Sequence, residues 1–67
     1  MSVARVTKLT AGSPVSFQAA IEAAVKRANK TLRNLTGLNV VEQKAKIVNE
    51  TITEYRVTLE ITFILED

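Results

Sequence analysis

The sequence predicts an α+β fold, a three-stranded antiparallel sheet packed on one helix in the order β-α-β-β. Three observations predict it. Apolar residues recur at helical spacing from Phe17 to Leu35. Two long stretches after Gly37 are rich in β-branched and alternating residues. A shorter alternating stretch precedes the helix. At 67 residues, the chain forms one domain, spanning 1–67.

The first element is a strand from Val3 to Leu9. Val3, Arg5, Thr7 and Leu9 share one face, and Ala4, Val6 and Lys8 share the other. Thr10 to Pro14 reads as a loop. Ser13 before Pro14 suggests an N-cap and first helical residue, because Pro there gives up no intrahelical bond. Phe17, Ala20, Ile21, Ala24, Val25, Ala28, Leu32 and Leu35 then form one apolar stripe. Lys30 and Arg33 fall near its C-terminal end, where cations suit the helix dipole. Gly37 follows the last apolar position, where a left-handed residue would close the helix.

Leu38 to Val48 is the second strand. Asn49-Glu50 is a hairpin turn, and Ile52 to Leu65 is the third strand. In the third strand Tyr55, Val57, Leu59, Ile61, Phe63 and Leu65 point one way. Glu54, Arg56, Thr58, Glu60 and Thr62 point the other. This strand is much longer than the ~5–6 residue norm, and one helix cannot cover it. Its edges therefore call for pairing with other copies of the chain.

Composition narrows the function classes. Cysteine and histidine are absent, which removes disulfides, zinc fingers and His-based catalysis. A small core without such supports points to oligomerisation. The net charge is +2, with cations scattered among acids and few aromatics, so nucleic acid is not an expected partner. No apolar run reaches the ~18 residues of a membrane span. These features lead to an expectation of a cytoplasmic protein with no membrane partner. No serine sits in a nucleophile motif, and the chain is not expected to be an enzyme.

The corner Thr31-Leu-Arg-Asn-Leu-Thr-Gly-Leu-Asn-Val-Val-Glu-Gln43 resembles the helix-to-strand corner of dodecins, which reads roughly T-L-R-N-L, one variable residue, then W-F-x-V. Gly12 to Phe17 resembles the family's G-T-S-P-x-S-F region, with the glycine shifted by one. Ala19 to Ala24 is similar to its E-A-I-E-x-A stretch. The tails Tyr55 to Glu60 and Phe63 to Asp67 are similar to its last strand. The resemblance covers nearly the whole chain. It implies a hollow homododecamer, self-assembled, that binds flavin (FMN or riboflavin) without catalysis, as a small-ligand binding or storage protein.

Three departures fall where the family holds its ligand. Gly37 stands in place of the Trp that stacks on flavin. Arg56 stands where the family has a Gln on the flavin's polar edge. Ile64 stands where many bacterial members have Arg. The resemblance thus implies that flavin binding is weakened or lost. It places Gly37, Leu38, Gln43 and Arg56 around a ligand. Arg56 either holds an anion bidentately or pairs with Glu54, Glu60 or Glu42. Relatives without the Trp and with a Tyr-Arg pair in the last strand are associated with calcium. The candidate oxygen donors here are Glu42, Glu54 and Glu60, with Glu66 and Asp67 beyond them. A ligand-free shell is the third reading.

Overall fold

A computed structural model describes residues 3–65. It contains strand β1 (Ala4–Ser13), helix α1 (Phe17–Ala28), strand β2 (Leu35–Val48) and strand β3 (Thr51–Ile64). The sheet order is β1-β3-β2, and both pairings are antiparallel. The expected β-α-β-β architecture is therefore present.

Several boundaries differ from the sequence expectation. β1 continues through the expected loop to Ser13, because Thr10 to Ser13 pair with Thr58 to Tyr55. The hydroxyls of Thr10 and Thr58 lie 3.0 Å apart across that pairing. Ser13 is not the N-cap. Its Oγ accepts the Val15 N–H at 3.0 Å and closes a local turn. Ser16 caps instead: its backbone is extended and its Oγ accepts the Ala19 N–H at 3.0 Å.

The helix also stops earlier than the apolar stripe suggests. Beyond Ala28 the N–H groups of Lys30 and Thr31 donate to Arg27 and Ala28, a tightened three-residue pattern that ends the helix. Lys26 and Arg27 occupy the last turn, in place of Lys30 and Arg33. Leu32 and Leu35 still pack against the core from outside the helix. Gly37 is not the left-handed residue. Asn34 takes that conformation at φ 60°, and Gly37 lies inside β2. Asn tolerates this region better than other non-glycine residues, so it can turn the chain.

The β2–β3 turn is as expected. Asn49 and Glu50 both have positive φ, at 52° and 65°, which makes a two-residue mirror-image turn that matches strand twist.

The core is small. Ala20, Ala24 and Ala28 pack on Val57, Leu59 and Ile61, all buried. Small alanines let the helix approach the sheet closely. The apolar face of β3 thus points to the helix as expected, with Tyr55 and Phe63 half-buried at its ends. Phe17 meets Tyr55 edge to face, with ring centroids 5.0 Å apart. The helix lies over β1 and β3, while every residue of β2 after Leu35 is exposed. Leu38, Val40, Val41, Ile47 and Val48 are the large apolar residues left open on that strand.

The dimensions agree with an uncovered flank. The extents are 52 × 20 × 13 Å, and the radius of gyration is 13.9 Å. A compact domain of this length has a radius near ~11 Å. The accessible surface is 5041 Å², against ~4200 Å² for a compact monomer of this mass. Much of the excess comes from the hairpin tip. β3 before Tyr55 has no β1 partner, so β2 and β3 project beyond the helix.

Candidate functional site

Opposed residues in an antiparallel pair share a face, so the register assigns each candidate side chain. Leu38 opposes Ile61, and Gln43 opposes Val57, so both lie on the helix side of the sheet. Arg56 opposes Lys44 and Gly12, on the far side. A bulge causes this separation. Val40 opposes Leu59, yet Glu42 opposes Thr58, so Val41 is an extra residue. Without it Gln43 would face Arg56. With it, Lys44 does. Within one chain the sheet therefore stands between Gln43 and Arg56.

Gly37 sits after a second bulge, opposite Thr62. Its φ is not left-handed, and a Cβ placed there meets no heavy atom within 4 Å. It borders an apolar hollow of about 250 Å³ formed with Val25, Leu35, Leu38 and Ile61. The hollow continues along the helix edge past Ile21 toward Gln18. No aromatic ring lines it. Gly37 and Arg56 are also about 20 Å apart, since six residues of β3 separate their opposite numbers at ~3.3 Å each.

Glu42, Glu54 and Glu60 all face away from the helix. Glu54 and Glu60 are likewise about six residues, or ~20 Å, apart along β3. Two of the three acids are already engaged. Glu42 approaches Lys44 at 3.5 Å, and Glu54 receives the Arg56 Nη2 at 2.8 Å. Among the described residues no three acids gather where they could hold a metal. Among the described residues, a single chain brings no set of donors together for calcium. Glu66 and Asp67 lie outside the described residues.

The dodecin family model matches residues 3–66. The chain belongs to the dodecin family. A dodecin of Thermus thermophilus is 42% identical over 60 residues, covering 90% of this chain and 87% of that one. The crystal structure of an arginine-to-alanine mutant of the T. thermophilus dodecin superposes with a TM-score of 0.95 at 39% identity, over the full length of both chains. The calcium dodecin of Mycobacterium tuberculosis, described as a calcium-chelating antigen with a novel calcium-binding site, superposes with a TM-score of 0.83 at 29% identity. That match covers 97% of this chain and 93% of that one. The β-α-β-β fold is thus the dodecin fold.

The candidate residues of this dodecin divide into two groups, an apolar hollow bordered by Gly37 and a charged face at Arg56. Lys44 and Lys46 share the charged face and Gly12 lies opposite Arg56, placements that local sequence does not mark. Only the bulge at Val41 brings Lys44 to that face, and nothing in the local sequence marks a bulge there. No described helix is long and apolar enough to cross a membrane.

Proposed function

We propose that this dodecin assembles as a hollow homododecamer and binds or stores a small ligand where its subunits meet, without catalysis and with flavin binding weakened or lost. The observation that carries the reading is the uncovered β2. It has a flank of exposed apolar residues beside an apolar hollow at Gly37, in a chain too extended to be a compact monomer. The site residues in this reading are Gly37, Leu38, Gln43 and Arg56. They are spread over both faces and about 20 Å of sheet, so a shared ligand needs two copies of the chain to bring them together. Weak flavin binding follows from chemistry. Each stacked ring contributes ~1–3 kcal/mol by analogy with base stacking, and the hollow supplies no ring.

Two measurements test this. Light scattering after size exclusion should give about twelve times the 7.4 kDa subunit mass. A clean folded monomer would refute the assembly. A riboflavin titration of the assembled protein should give binding in the micromolar range or weaker; tight binding would refute the loss of the stack.

Calcium is the second reading, supported by the mycobacterial relative. It requires Glu42, Glu54 or Glu60 from neighbouring subunits to converge. A melting temperature that rises with added calcium, and not with magnesium, would favour it. The absence of cysteine suits a reducing cytoplasmic setting.

A further inference from the structure

The two layers of the subunit differ in size. The sheet has strands of 10, 14 and 14 residues. At ~3.3 Å per residue and ~4.8 Å between strands it covers about 600 Å². The helix has 12 residues. At ~1.5 Å per residue and ~10 Å across it covers about 180 Å². It lies on one face of the sheet only, over β1 and β3. In a closed shell the inner layer has the smaller area to fill. The smaller layer therefore faces inward, and the broad sheet with its projecting hairpin forms the outside.

The open surface of the helix is basic. Glu22 and Lys26 each stand two residues, or about 200°, from buried alanines among Ala20, Ala24 and Ala28, so they point away from the sheet. Lys30 follows Ala28 by two residues in the tightened turn, and Arg27 flanks Lys26; all are exposed. Glu22 accepts a hydrogen bond from the Gln18 amide at 3.0 Å. Among the described residues no carboxylate pairs with Lys26, Arg27 or Lys30. Three cations against one carboxylate leave a surplus of two positive charges per subunit, about 24 over twelve subunits. Cations that converge on an enclosed space repel one another unless counter-ions enter, and low-dielectric walls focus their field on that space.

We propose, on the homododecamer reading above, that the helices line the lumen and that the lumen concentrates inorganic phosphate, held by Lys26, Arg27 and Lys30. None of the site residues named in that reading takes part. A phosphate group carries about −1.5 to −2 charge at neutral pH and offers several strong acceptor oxygens, so one ion can accept from ammonium groups of more than one subunit. One such ion per subunit neutralises the surplus, which sets the expected content at about twelve per assembly. A monovalent anion would need about twice that number to balance the same charge.

The test uses the assembled protein, its mass checked by light scattering, in equilibrium dialysis against radiolabelled inorganic phosphate at low salt. About twelve phosphates per assembly are expected, fewer as salt is raised. Lys26→Gln should roughly halve the uptake, and Lys26→Gln with Lys30→Gln should reduce it about fivefold or more. Glu22→Gln should raise it about 1.5-fold. Lys8→Gln is the control. Lys8 opposes Glu60 on the face away from the helix, so this change alters the net charge and should leave uptake as it is. A long duplex DNA cannot enter a closed shell and should not displace the phosphate. An assembled protein that takes up no phosphate would overturn the proposal. So would equal losses in Lys8→Gln and Lys26→Gln, or displacement by the duplex, which would put the helices on the outside. Each of these leaves the assembly reading intact, whereas a folded monomer in light scattering would overturn both.

Discussion

Gly37→Trp is the substitution on which the candidate pocket depends most. Were Gly37 a left-handed cap, a tryptophan there would cost ~1 kcal/mol or more. The structure reverses that expectation. Gly37 is an ordinary strand residue with open space at its Cβ. Removing glycine from a strand interior recovers ~0.5–1 kcal/mol. By the register a side chain at 37 shares the far face with Thr62, so an indole there adds little burial against its own subunit's helix. The mutant should therefore melt at or above the parent temperature. A restored stack should raise riboflavin affinity by ~1–3 kcal/mol, or roughly 5- to 150-fold. Thermal denaturation and quenching of riboflavin fluorescence measure the two effects. Adding Arg56→Gln extends the test. The two positions are too far apart in one chain to couple, so any interaction energy in the double-mutant cycle reports a second subunit joining them. An assembled mutant that melts lower than the parent and quenches no fluorescence would refute the reasoning.

Other perturbations separate the core from the flank. Leu59→Ala, at a fully buried position, should cost ~2–5 kcal/mol in denaturant unfolding. Ile47→Lys, on the exposed tip, should leave the subunit folded by circular dichroism but reduce the mass seen by light scattering. Ser16→Ala removes the acceptor for the Ala19 N–H and should cost ~0.5–2 kcal/mol in the same unfolding assay. Glu50→Gly relieves a left-handed non-glycine residue and should raise stability by ~1 kcal/mol; a fall in melting temperature would mean that the Glu50 side chain makes a contact elsewhere in the assembly.

Much of the fold was legible because it rests on period and turn chemistry. The alternation from Tyr55 to Phe63 set the buried face of β3, and Asn49-Glu50 marked the hairpin. The helix ends were harder, because two plausible residues competed at each. Ser13 and Ser16 are both good caps, and the strand pairing of Ser13 decided between them. Asn34 and Gly37 both tolerate the left-handed region, and the early tightening after Ala28 favoured Asn34. Of the site, Arg56 and its pairing with Glu54 were foreseeable from spacing on one strand. Lys44 was not, because its facing depends on a ladder irregularity on another strand.

The extra residue at Val41 has a consequence for how this chain tolerates change. A strand with period two behaves like text read in one of two phases, and an inserted residue switches the phase for everything downstream. The bulge absorbs that switch. A chain one residue shorter at Val41 would keep Glu42 opposite Thr58 and Lys44 opposite Arg56. Straightening the bulge with Val41 retained would instead turn Lys44 and Lys46 toward the helix side and bring Gln43 and Ala45 to the charged face. Two chains that differ by one residue here can therefore present the same faces while their letters fall out of phase.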